Sequence, residues 1–339
     1  MRKIVLLSVF VFLFQLFVLA QGSGKNSPII YTFGYNDIPD GCNLPLIGFV
    51  NTAHGDQKSV HIGFINTNTG SLTGAQIGFV NTVNDAMNGI QVAFINSIGD
   101  NAQGFQVGFV NAIGNRMQGG QIGFINAVRK MEGFQVGFFN ATENLKGFQV
   151  GFINGTMRTM CAQIGFTNST KILSGIQIGF INTVETVAHG VPVGFLSFVH
   201  HGGFQAFELS FNEMYPYNAS CKIGMDRFYT FPMVSYNPKL VDPFAIGFGA
   251  GSNLPMNEEV YFNPELSSQT ILSSDFQQIS SITLNFGHAF TENLDFLAGP
   301  SVVWNRTTTN EPLFSIHDWN IDSNNRIHAG FRLALRYRL

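Results

Sequence analysis

Charged residues are scarce in this sequence: Lys, Arg, Asp and Glu make up 12% of 339 residues, for a net charge of −3. That scarcity leaves no basic surface able to neutralise a run of phosphates, so nucleic acid is not an expected partner. Cysteine is rarer. Cys42, Cys161 and Cys221 are an odd set without close spacing, which argues against a disulfide framework and a metal knuckle. Beyond residue 20 no apolar stretch reaches the roughly 18 residues of a membrane-spanning helix. There is no Gly-x-Ser-x-Gly elbow, no His-Glu-x-x-His pair and no phosphate-binding glycine loop, so no catalytic residue, metal ligand or cofactor is expected. What is abundant is Phe, with 35 copies, and Gly, with 37.

The chain opens Met1-Arg2-Lys3, runs through an apolar stretch from Ile4 to Leu19 and reaches Val18-Leu19-Ala20. A basic start, a short apolar run and small residues at the −3 and −1 positions predict a secretory signal peptide over residues 1–20. An exported chain rich in Phe and Gly, with few charges, is a secreted β-protein or an outer-membrane barrel.

Past an N-terminal segment (21–44), one motif, Gly-x-Gln-[Ile/Val]-Gly-Phe-[Ile/Val/Phe]-Asn, recurs eleven times over residues 45–199. Its Phe falls at Phe49, Phe64, Phe79, Phe94, Phe109, Phe124, Phe138, Phe152, Phe166, Phe180 and Phe195, at a spacing of fourteen or fifteen. A fixed short period makes each unit one supersecondary element that must pack on its neighbours. Within a unit, alternation puts Phe148, Val150 and Phe152 on one face and Gln149, Gly151 and Ile153 on the other, the period of a strand. Turn-forming pairs such as Asn84-Asp85, Gly99-Asp100 and Gly114-Asn115 separate the units.

Two architectures satisfy this pattern. In an antiparallel meander each repeat is a strand of about twelve residues, long enough when tilted to cross the roughly 30 Å of a bilayer core. In a parallel solenoid each repeat is one coil, but a coil needs a second bend, which on this pattern would fall at the Gly two residues before Gln. The single visible turn per repeat favours the meander: an all-β outer-membrane antiparallel barrel of about 20 strands, built partly from the repeats. The alternative is a parallel β-solenoid followed by an antiparallel β-sheet domain.

The remaining stretch, residues 200–339, continues the alternation. Phe331, Leu333, Leu335 and Tyr337 interleave with Arg332, Ala334, Arg336 and Arg338, the pattern of a strand that closes a barrel. Charges inside these segments fall opposite the apolar stripe: Glu208, Lys222, Glu265, Asp295 and the three arginines. Candidate lumen-lining residues are therefore Lys222, Glu265, Asp295, Arg332, Arg336 and Arg338, together with the repeat glutamines Gln76, Gln91, Gln106, Gln121, Gln135, Gln149, Gln163 and Gln177. The glutamines admit a second role, in which neighbouring amides hydrogen-bond one another and nothing passes. His200-His201 reads as turn polarity rather than a metal pair, since adjacent strand residues point opposite ways. The sequons at Asn140, Asn154 and Asn168 arise from the repeat itself.

The motif Gly-x-Gln-x-Gly-Phe-x-Asn resembles the surface repeat of Gram-negative envelope proteins, in which the Phe position is often Leu. The segments Gly190–Val199, Phe207–Glu213 and Phe228-Tyr229 are similar to those following the repeats in bacteroidete-type members. Ala93 departs from the motif at its second Gly, His61 and Pro192 at Gln, and Ser197 at Asn. The resemblance covers roughly residues 45 to 339 and implies location and architecture, with no established activity. The expectation is an outer-membrane surface protein, a passive pore or structural barrel, with membrane lipid and small solutes or surface ligands as partners. A secreted or surface-attached solenoid adhesin is the alternative.

Overall fold

The structure, a computed structural model, describes residues 28–273, 277–306, 315–322 and 325–339. The signal peptide expected over residues 1–20 lies outside them. The protein is a parallel β-solenoid of about eleven turns followed by a closed antiparallel eight-stranded barrel, and the chain divides after Thr156 into two compact units.

In the first unit each coil contributes two short strands. Gln57–Ile62 is followed by Ile65–Asn68, then Leu72–Ile77 by Val80–Val83, and Met87–Val92 by Ile95–Ile98. Equivalent strands pair in parallel with a shift of one repeat, Gln76 opposite Gln91 and Asn81 opposite Asn96. The repeats are therefore coils of a solenoid and not strands of a twenty-stranded barrel. The second bend, which sequence reasoning put at the Gly before Gln, falls on the Gly-Phe pair itself, at Gly63-Phe64 and Gly78-Phe79. This bend breaks the alternation. Phe152 and Ile153 both face outward in succession, while Gln149 and Asn154, five residues apart, both point inward. In a straight strand residues five apart face opposite ways.

The interior of the coils is filled by stacked columns. Leu72, Met87, Met117, Met131 and Leu145 form one apolar column, and Val83, Ile98, Ile113 and Val128 another. Between them run two amide ladders. Asn51 Nδ2 donates to Asn66 Oδ1 (2.7 Å), and the pattern continues through Asn81, Asn96, Asn111, Asn126 and Asn140 to Asn154. The glutamines donate the opposite way: Gln91 Nε2 to Gln76 Oε1 (2.8 Å), and onward through Gln106, Gln121, Gln135 and Gln149. The asparagines from Asn51 to Asn140 also donate to backbone carbonyls, as Asn96 Nδ2 does to Val107 O (3.0 Å), so these buried amides have partners.

The second unit holds further coils and the barrel. In the coils, Gln177 Nε2 donates to Gln163 Oε1 (2.7 Å), and Asn182 Nδ2 donates to Ser197 Oγ (3.2 Å), where the serine ends the ladder. The barrel strands are β1 (Phe204–Phe211), β2 (Tyr217–Met225), β3 (Phe228–Tyr236), β4 (Phe244–Gly251), β5 (Val260–Ile271), β6 (Gln278–Ala289), β7 (Leu294–Arg306) and β8 (Asn325–Arg338). Each pairs antiparallel with the next, and β8 returns to β1 with Leu335 opposite Leu209. The C-terminal strand does close a barrel, but one of eight strands complete in itself.

Candidate membrane interface and barrel interior

Period-two alternation sorts every barrel strand into an outward and an inward stripe. Outward on β8 stand Phe331, Leu333, Leu335 and Tyr337; inward stand Arg332, Ala334 and Arg336. Outward residues elsewhere are of the same kind, including Leu209, Val234, Ile246, Leu266, Ile282 and Leu284, all exposed. Among the described strand residues Arg306, at the end of β7, is the one charged side chain on this outer surface. Aromatic rings gather at its two rims. Tyr217, Tyr236 and Phe244 lie side by side across β2, β3 and β4, and Phe207, Phe296 and Tyr337 stand near the other ends of their strands.

The interior is charged and closed. Lys222 Nζ donates to Glu265 Oε1 (2.8 Å) and reaches Glu208 Oε1 (3.2 Å). Arg332 donates to Glu265 Oε2 (2.9 Å) and also pairs with Glu208. Arg336 donates through Nε to Glu208 Oε2 (2.7 Å) and through Nη2 to Glu265 Oε1 (3.0 Å). The Tyr229 hydroxyl donates to Glu265 Oε1 (2.6 Å), and Asn253 accepts from Arg336 (2.9 Å). Lys222 Nζ also sits 3.3 Å above the Phe231 ring, a cation–π contact. A second group, Tyr261 and Arg338, donates to Asp295 Oδ2, each at 2.7 Å. Lys222, Glu208 and Arg336 are at most 1% exposed. With three cations around two carboxylates, each charge is held by an opposite one, which is the condition for burying it.

The candidate residues therefore separate into two places. Lys222, Glu265, Arg332 and Arg336 meet in one cluster, and Asp295 and Arg338 meet beside it. None lines an open channel. The eight glutamines are not in a barrel lumen at all. They are fully buried inside the solenoid, because the phase shift at Gly-Phe turns both Gln and Asn inward. Glu208 was legible as an inward charge but not as the partner that joins two arginines to the lysine. Asn263 Nδ2 donates to Asn253 Oδ1 (3.0 Å) beside them; the sequence marks Tyr229 only through the resemblance and the two asparagines not at all, since lone Tyr and Asn residues carry no spacing signal. Near the β1–β2 loop, Ser301 Oγ donates to both carboxylate oxygens of Glu213 (2.8 Å), and burial pushes that carboxyl above its ordinary range.

On the solenoid the repeat phenylalanines stack on the outside. Successive rings from Phe49 to Phe152 have centroids 4.8–5.1 Å apart and nearly parallel planes. Phe166, Phe180 and Phe195 repeat this in the second unit, and Phe195 stacks at 4.3 Å on Phe248 of β4. Thr230 Oγ1 of β3 donates to Phe195 O (2.8 Å).

No family model matches the chain, and no curated protein matches it. One solved structure to which it is similar is the crystal structure of Neisserial surface protein A (NspA), at 13% identity and a TM-score of 0.23. The match spans 40% of this chain and 94% of that one.

Proposed function

We propose that this chain is an outer-membrane surface protein, without catalytic activity, whose eight-stranded barrel is a lipid-embedded structural anchor. The observation that carries this reading is the inversion of the barrel. Its outer stripe is apolar on every strand, while its interior holds Glu208, Lys222, Glu265, Arg332 and Arg336. Water outside and a core inside would favour the reverse arrangement, whereas lipid outside requires this one. Strands of eight to fourteen residues match the length needed for a tilted crossing. The export signal expected over residues 1–20 and the resemblance to envelope surface-repeat proteins add to this reading. A closed anchor is favoured over a passive pore because paired charges occupy the interior. Fractionation of Gram-negative envelopes should recover the protein in detergent-soluble outer membrane, with heat-modifiable migration on gels. Recovery from the periplasm or culture fluid as a soluble protein overturns the proposal.

A further inference from the structure

The solenoid is amphipathic in cross-section. Every Asp, Glu, Lys and Arg between residues 45 and 156 falls at or beside the turn that separates repeats, from Asp56 through Asp85, Arg116 and Glu132 to Lys146. Ion pairs form there, Arg116 with Glu132 (2.5 Å) and Arg129 with Glu143 (3.4 Å). The opposite edge is the Gly-Phe bend, and from five residues before each of these Phe to four after it no Asp, Glu, Lys or Arg occurs. In the first unit the eight Phe rings at this bend are 38–58% exposed. A Phe side chain presents about 200 Å², so these rings alone leave on the order of 700 Å² of apolar surface uncovered. The largest apolar patch on a soluble monomer is about 300–600 Å². Exposed Ile and Val beside several of the rings, such as Val92 and Ile95 at Phe94, widen it further.

We infer that the Phe edge of the solenoid seats in the acyl chains of the same bilayer that holds the barrel, with the charged turn edge left in water. The inference rests on the lipid-embedded reading of the barrel and extends it to the repeats. Two observations choose lipid over a protein partner. First, within the second unit the ladder of Phe166, Phe180 and Phe195 runs onto Phe248, an outward residue of β4, so that unit's own coils carry the apolar edge onto the outer wall of the barrel. Second, a groove of about 900 Å³ lies beside that stack, lined by Phe195, Phe207, Pro232, Ile246 and Phe248, a slot with the chemistry of an acyl chain. Segregating charge to one edge and aromatic and aliphatic side chains to the other is how a surface-lying amphipathic element meets a membrane.

The test uses the full chain in vesicles of phosphatidylethanolamine and phosphatidylglycerol. Single cysteines replace Phe109 on the apolar edge, Asn115 on the turn edge and Leu284 on the barrel wall, in a background with Cys42, Cys161 and Cys221 removed, and each carries a nitroxide. Oxygen, which concentrates in lipid, should relax the labels at 109 and 284 several-fold more than a water-soluble nickel chelate does, with the reverse at 115. If the label at 284 is lipid-exposed while that at 109 meets the nickel chelate, the solenoid stands in water and the inference fails though the barrel reading survives. If 284 also meets the chelate, the barrel reading itself fails. If 109 is shielded from both probes, a second copy or another protein covers the edge, and the inference fails.

Discussion

At the scale of single residues the repeat tolerates substitution where chemistry is preserved. His61 occupies a Gln position and keeps the ladder: its Nε2 pairs with Ser59 Oγ (2.8 Å) and its Nδ1 lies 3.4 Å from the Gln76 amide. Burial pushes its pKa down from 6.5 to about 4, because a charged imidazole loses water there. The folded state therefore binds the proton less readily than the unfolded chain. The stabilisation is present in full above pH 6.5 and drains as the pH falls towards 4, by at most about 3 kcal/mol. His61→Gln should flatten the dependence of urea-denaturation midpoints on pH between 8 and 5; an unchanged slope would refute the assignment. The inward charges of the barrel were legible in the sequence because alternation alone assigns them a side. Their pairing was not, since Glu208 and Arg336 are 128 residues apart and only the closed ring brings them together.

At the scale of elements the difference between a coil and a long strand came down to one bend. The spacing of Gln76 from Asn81, five residues, was the available signal, because two amides that both need buried partners must share the inside. Reading the repeat as one continuous alternation hid it. The Gly two residues before Gln has another duty. Gly104 has φ of 128°, and a Cβ there would come within 2.0 Å of Gly89 O on the preceding coil, so neither backbone nor space admits a side chain. Cys161 stands at this position with φ of 139°, a strained setting for an L-residue. Gly104→Ala should destabilise the protein by at least about 2 kcal/mol, Cys161→Gly should stabilise it by about 1 kcal/mol, and Gly155→Ala, which meets nothing within 4 Å, should be near neutral. Thermal unfolding in detergent ranks the three variants, and an equal response at 104 and 155 would contradict the close-approach argument.

At the scale of the whole molecule two kinds of β architecture share one chain, and the same stripe of apolar side chains serves both, which is why the repeats passed for barrel strands. The division of labour nevertheless follows from side-chain size and charge. Gly and amide columns allow coils to stack at close range, whereas long charged side chains fill the ring. An eight-stranded barrel has an interior just wide enough for side chains, and here Lys222, Arg332 and Arg336 with Glu208 and Glu265 occupy it. Arginines lining water would give weak anion preference; with Arg332 and Arg336 both paired to carboxylates, the expected outcome is no conduction. Purified protein in planar bilayers should leave the current at baseline under 100 mM to 1 M salt (roughly 10 to 3 Å of screening). Arg336→Met leaves two carboxylates short of a partner and should cost about 3–5 kcal/mol, read as a lower temperature for loss of the heat-modifiable form. Stepwise currents from the wild type whose anion preference falls in Arg332→Gln would mean that water passes the cluster, and the closed anchor would have to be given up for a pore.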